Sequence, residues 1–130
     1  MAGPDDKRLT LDDLLAQARA RIDRREPSEA AASGAQLIDI RSSEQRAADG
    51  EIPGALWFPR NVLEWRVDPT SEAHDERVAG FDDEIVIFCD AGYASSFAAA
   101  TLRDLGFRRA ADMTGGFQAW RAAGLPVEEA

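Results

Sequence analysis

The chain has 130 residues, 45% of them hydrophobic, and carries 24 acidic against 15 basic side chains for a net charge of −9. That length suits one domain with a real apolar core, the acidity argues against nucleic-acid binding through a broad basic surface, and no apolar run reaches the ~20 residues of a membrane span. A single cysteine excludes an internal disulfide and a cysteine-cluster metal site, so a protein of a reducing compartment, the cytoplasm, without membrane contact is expected.

Residues 1–8 read as a loose, charged tail lacking the apolar stretch of a signal peptide. Thr10 and Asp13 stand at capping-box spacing, and Leu11, Leu14, Leu15, Ala18 and Ile22 follow on one helical face. Residues 9–26 are therefore expected to form an N-terminal helix packed on the domain. Its basic cluster (Arg19, Arg21, Arg24, Arg25) reads as a solvated helix end, where cations suit the dipole. Pro27 and Ser28 break that helix and start a short one, which Gly34 ends.

Leu37-Ile38-Asp39-Ile40 reads as a buried strand, and Ser42 with Gln45 as the capping box of a helix over 43–48 that Gly50 closes. A turn at 52–55 leads into a short strand over 55–58. Asn61 is then placed to cap a helical turn carrying Val62, Leu63 and Trp65. Residues 67–83 are polar and irregular, the best candidate for a mobile loop, and His74 within them reads as a solvated loop residue. Ile85-Val86-Ile87-Phe88 is a buried strand, a helix runs on to about Leu105, and Gly106 stops it. A strand over 109–113, a turn at Thr114-Gly115-Gly116 and a last helix over 117–123 complete the order, with Gly124 and Pro126 as its stop. Strands alternating with helices through short links predict an α/β fold: an open parallel sheet of about five strands with helices on both faces. Trp57, Trp65 and Trp120 lie at apolar positions and read as core or pocket wall.

The chemistry concentrates at Cys89. It ends the strand 85–88, opens the loop Asp90-Ala91-Gly92-Tyr93-Ala94, and precedes a helix beginning near Ser95-Ser96. A strand end, a small-residue turn and a helix start form an anion cradle, with loop N–H groups pointing inward and the helix adding positive partial charge. A thiol there ionises more readily than free cysteine, and the thiolate is the reactive form. In a parallel sheet, ligands bind outside the carboxyl ends of the strands, where this cysteine sits.

Four segments in order carry a resemblance: Leu37-Ile38-Asp39-Ile40-Arg41; Glu51-Ile52-Pro53-Gly54-Ala55; the run from Ile85 through Cys89 to Ser96; and Gly115-Gly116-Phe117-Gln118-Ala119-Trp120. Together they resemble a single-domain rhodanese over about residues 27–127. The resemblance implies a rhodanese-like domain and a thiosulfate sulfurtransferase activity: a cysteine thiolate takes the outer sulfur of a donor such as thiosulfate as a persulfide and passes it to a thiophilic acceptor. It implies Cys89 as the catalytic residue, and Asp90, Ala91, Gly92, Tyr93, Ala94 and Ser95 as the loop whose backbone cradles the sulfur, with Ser95 or Ser96 capping the helix. Arg60 and Arg66 are possible anion contacts.

No metal and no organic cofactor are implied. The expected partners are a small sulfur donor and a thiol or protein acceptor, with the chain a monomer or weak homodimer. Asp39 and Arg41 are read as structural, Asp39 anchoring loops at the sheet edge and Arg41 pairing with Glu44.

The chain departs from the family pattern where many relatives carry Arg five residues after the cysteine, for Ala94 stands there; Asp90 places a negative charge beside the sulfur, and Glu51 replaces a common His. The first two weaken anion attraction. The related cysteine phosphatases need an Arg gripping the phosphoryl oxygens, and Ala94 and Ser95 occupy the positions where it would fall. A non-enzymatic persulfide-sensing or protein-binding module is the alternative to an enzyme.

Overall fold

Five strands and six helices alternate along residues 8–130, the part of the chain that the computed structural model describes. The tail expected over residues 1–8 lies outside the described residues, Arg8 excepted. In chain order the elements are α1 (Leu11–Ala20), β1 (Asp23–Arg25), α2 (Pro27–Ser33), β2 (Gln36–Asp39), α3 (Ser43–Asp49) and β3 (Leu56–Trp57). After a 3₁₀ turn over Arg60–Val62 come α4 (Leu63–Val67), β4 (Ile85–Phe88), α5 (Ala94–Asp104), β5 (Ala110–Met113) and α6 (Gly116–Ala122). The strands form one sheet in the order β1-β5-β4-β2-β3, and all its pairs are parallel. This is the α/β architecture expected from the sequence.

The central strand shows why the apolar run at 85–88 is unbroken. Ile85 and Ile87 face one layer, with Leu63, Val67, Ala98, Leu102 and Phe107. Val86 and Phe88 face the other, with Ala30, Phe117 and Trp120. A strand covered on both faces has no polar side to alternate with.

The N-terminal segment differs from the expected single helix over 9–26. The Thr10–Asp13 capping box forms, but α1 ends at Ala20 and residues 23–25 turn into the sheet as its edge strand, pairing with β5. Asp23-Arg24-Arg25 carries no apolar residue, so hydrophobic periodicity gave no strand signal, while a charged edge strand resists pairing with other chains. The apolar face assigned to α1 is only partly used: Ala18 is buried, but Leu11 and Leu14 are 69% and 43% exposed.

Two smaller expectations also change, at Asn61 and Trp65. Asn61 lies inside the 3₁₀ turn and caps nothing, since Pro59 and Val62 hold the cap positions. Trp65 is not core: it is 60% exposed and borders a surface cavity with Glu64, Asp68 and Ser71, whereas Trp57 bonds the Arg41 carbonyl and Trp120 is buried. The irregular segment 67–83 is tied down at several points. Asp75 pairs with Arg66 and Arg77, and the Gln36 side chain bonds both the Arg77 carbonyl and the Ala79 N–H.

Candidate active site

The residues leaving the carboxyl ends of β2, β4 and β5, and the turn after β3, converge on one corner of the sheet. Cys89 follows β4 directly. Its Sγ accepts the N–H of Gly92 at 3.2 Å and that of Ser95 at 3.4 Å, and the thiol faces the Ser95 hydroxyl at 3.4 Å. The sulfur is thus the hub of a loop closed on the first turn of α5. Gly92 makes the closure possible. Its φ of 88° suits glycine, and a Cβ there would stand 2.6 Å from the Gly115 nitrogen.

The turn before α6 clamps the loop from the other side. The N–H groups of Phe117 and Gln118 donate to the carbonyls of Cys89 and Asp90, at 2.9 and 3.1 Å. Gly116 fits because a Cβ would fall 2.6 Å from the Cys89 carbonyl oxygen. The Gln118 side chain holds the Asp90 carboxylate at 2.8 Å, which ties that charge to α6.

Cys89 is 8% exposed and opens onto a shallow cavity of about 260 Å³. Asp90, Ala91, Tyr93, Ala94, Arg41 and Arg60 share its lining. Gly92 and Ser95 lie beneath, bonded to the sulfur. Arg60 is paired with Glu64 at 2.7 Å. Arg66 is not among the lining residues; its guanidinium bonds the Ala73 carbonyl at 2.7 Å and Asp75 at 3.4 Å. A separate cavity of about 290 Å³, beneath segment 67–81 and bordered by His74, does not include Cys89.

Two expectations about side chains are corrected. Neither Ser95 nor Ser96 caps α5. The helix begins at Ala94 with Tyr93 at the cap position, so both serines fall within its first turn. Their hydroxyls instead donate to Asp112, at 2.9 and 2.8 Å. Arg41 pairs with Asp39 at 2.9 Å rather than with Glu44, bonds the Gly50 carbonyl at 2.7 Å, and lies 3.9 Å from the centre of the Phe117 ring. This buried pair fixes the loop after β2, as expected of Asp39.

Sequence reasoning missed the layer behind the loop. Asp112 on β5 is fully buried and pairs with Arg24 of β1 at 2.8 Å. Arg24 and Arg19 each donate to the Gly92 carbonyl at 2.9 Å, and Arg19 also donates to the Ser96 hydroxyl at 3.0 Å and lies 5.4 Å from the Tyr93 ring centre. Of the four arginines read as a solvated helix end, Arg19 and Arg24 are therefore bonded to the cysteine loop, whereas Arg21 pairs with Asp104 and Arg25 with Glu84. The available signal was Asp112 itself: an acid inside an apolar strand must find a partner once buried.

Among the described residues no group of His, Cys, Asp or Glu side chains is placed to hold a metal ion, and no helix is long and apolar enough to cross a membrane.

The family model "Rhodanese-like domain" matches residues 15–123 of the chain. A sulfurtransferase of Allochromatium vinosum is 33% identical over 91 residues, covering 70% of this chain and 76% of that protein. The human thiosulfate:glutathione sulfurtransferase is 36% identical over 95 residues, covering 68% of this chain and 82% of that protein. Among solved structures, a protein of unknown function from Rhodopseudomonas palustris, described as a possible tyrosine phosphatase, superposes with a TM-score of 0.85 at 32% identity, covering 98% of this chain and all of that one. A thiosulfate sulfurtransferase of Pseudomonas aeruginosa gives 0.65 at 29% identity, with 84% of this chain matching only 20% of that larger one.

Proposed function

The chain belongs to the rhodanese-like domain family, and on that premise we propose that it is a sulfurtransferase working through a persulfide on Cys89. One observation carries the reading: a lone thiol at a strand end accepts two backbone N–H bonds, one from the short loop that follows it and one from the first turn of the next helix. Such donors favour a sulfur anion over a neutral thiol and are in place before the reaction begins.

In the first step the Cys89 thiolate attacks the outer sulfur of a thiosulfate-like donor. An S–S bond forms to Sγ, the donor's own S–S bond breaks, and sulfite leaves with the electron pair. The persulfide anion that remains is held by the loop N–H groups. In the second step a thiolate or cyanide attacks the outer sulfur and Cys89 is released as thiolate, so the cycle needs no external oxidant and no cofactor. Arg60 and Arg41 are the cations lining the cavity, and Arg60, paired with Glu64 at a part-exposed position, is the one an anionic donor can reach.

The phosphatase description of the Rhodopseudomonas protein is not carried over. Phosphoryl transfer from a cysteine loop needs a guanidinium gripping the oxygens, and Ala94 and Ser95 stand where it would be. Thiocyanate formation from thiosulfate and cyanide tests the reading. Turnover is expected from the purified chain and none from a folded Cys89→Ser variant. Turnover retained in Cys89→Ser would contradict it, as would an unaltered chain inert toward both thiosulfate and organic persulfides.

A further inference from the structure

Behind the residues that line the cavity, two guanidinium groups that are not part of its lining converge on one carbonyl oxygen of the Cys89 loop. Arg19 reaches the Gly92 carbonyl from the last turn of α1 and Arg24 reaches it from β1, each at 2.9 Å. The same residue, Gly92, donates its N–H to Cys89 Sγ. Arg19 also holds the Ser96 hydroxyl, Ser96 and Ser95 hold Asp112, and Ser95 donates its own N–H to the sulfur. Both N–H groups that face Sγ thus belong to residues gripped from behind by this network.

The charges near the sulfur do not cancel evenly. Asp112 is paired with Arg24, Arg41 with Asp39, and Arg60 with Glu64. Asp90 is an opposing carboxylate, held toward α6 by the uncharged Gln118 amide. Arg19 has no carboxylate within ion-pair distance among the described residues; its partners are a hydroxyl, a carbonyl and the face of Tyr93. Its charge is therefore unspent, and it rests against the loop.

We infer that Arg19, backed by Arg24, is a positioning residue that grips the Gly92 carbonyl, so fixing the residue whose N–H faces the sulfur, and supplies from behind the positive charge that the loop lacks at position 94. This deepens the sulfurtransferase reading and rests on it for its catalytic meaning. A cation behind the loop acts on the sulfur that Cys89 carries, whatever the incoming molecule. A cation on the cavity side acts mainly on an anionic donor. Arg19 accordingly promotes attack on neutral and anionic electrophiles alike.

The test needs no sulfur transfer. Iodoacetamide is neutral, and its rate of reaction with Cys89 reads the reactive sulfur directly. With Arg19→Gln, labelling at neutral pH is expected to slow about fivefold, the effect of losing one short-range cation, and the half-labelling point to move to higher pH. In strongly alkaline buffer, where every thiol is ionised, the two rates should converge. Arg19→Lys should stay close to the unaltered chain because it keeps the charge.

A merely structural role would slow labelling equally at all pH values, and that result would overturn the inference. Unchanged labelling at neutral pH in Arg19→Gln would overturn it too. Arg19 is only part-buried on α1, and a matching thermal melt verifies that Arg19→Gln is folded; were it not, labelling of Arg19→Lys as slow as that of an Arg19→Met variant would refute the charge argument. The outcome stands apart from the proposed function, since a chain that labels as expected but transfers no sulfur would refute only the latter.

Discussion

The two sides of the Cys89 loop are built on opposite plans. Behind it lies a closed layer in which Arg24, Asp112, Ser95, Ser96 and Arg19 satisfy one another and the loop backbone. In front lies a shallow cavity with Ala94 at the loop position, Tyr93 60% exposed, and Arg60 engaged by Glu64. The difference teaches where this loop places its charge: around the sulfur it carries, and sparingly around the molecule that enters. The back is fixed by backbone fit and buried ion pairing, which tolerate little change. The front is more open to substitution at Ala94 and Tyr93, whose side chains reach the cavity, than at Arg41, Arg60 and Asp90, which are tied to Asp39, Glu64 and Gln118.

The largest effect should follow from breaking the clamp that holds both sides. In Gly116→Ala the new methyl meets the Cys89 and Asp90 carbonyl oxygens at 2.6 and 2.7 Å, at a residue whose φ is 60°. We expect a loss of about 3–4 kcal/mol in chemical denaturation and collapse of turnover, since backbone must move to admit it. A stable, active Gly116→Ala would show that the loop is not held by this contact.

Removing the acid of the back layer comes next. Asp112→Asn leaves Arg24 with a weaker partner and withdraws the charged acceptor shared by Ser95 and Ser96. A cost of about 2–3 kcal/mol is expected, below that of a fully buried pair because Arg24 is a quarter exposed. Cys89 alkylation should also change in Asp112→Asn, whereas an equally destabilising core variant such as Leu102→Ala should leave it alone while the protein is folded.

The front side is sharpened by adding what it lacks. A guanidinium about 6 Å from a donor oxyanion attracts it by roughly 3 kcal/mol at an effective dielectric of ~20, before desolvation and salt screening. Ala94→Arg is therefore expected to lower KM for thiosulfate by about threefold to tenfold at low salt, with the gain shrinking as ionic strength rises. Ala94→Gln should gain little. An unchanged KM would mean that residue 94 does not face the donor.

The smallest effect lies away from the loop, in segment 67–83. Hydrogen bonds from the Arg77 side chain and backbone hold the Asp75 carboxyl well below the usual carboxylate range. A carboxyl whose folded value is depressed stabilises the protein above its unfolded value of about 4, and that contribution fades as pH falls toward the folded value. Asp75→Asn should thus melt slightly below the unaltered chain at neutral pH, with the gap closing in acid. It should not alter Cys89 labelling. A gap that widens in acid would contradict the sign.

The front of the site was legible in the sequence and the back was not. Cys89, its loop and the following helix are contiguous, and their residue types announce a strand end, a tight turn and a helix start. The back layer joins residues 19 and 24 to 92, 96 and 112, a link that exists only once β1 has paired with β5. Its edge strand is wholly charged, so periodicity was silent there. The serines were legible as polar groups at a helix start, but their hydroxyls were assigned to capping because the buried acid that claims them is 16 or 17 residues away. Local chemistry is written in neighbouring residues, whereas the support of a loop is written in the topology.

The central claim is that Cys89 carries the transferred sulfur, and intact mass after incubation with thiosulfate tests it most directly. The account predicts that the unaltered chain gains the mass of one sulfur atom, loses it on adding cyanide, and that folded Cys89→Ser gains none. An unaltered chain that never gains the sulfur from thiosulfate or an organic persulfide, or a Cys89→Ser variant that gains it equally, would contradict the account.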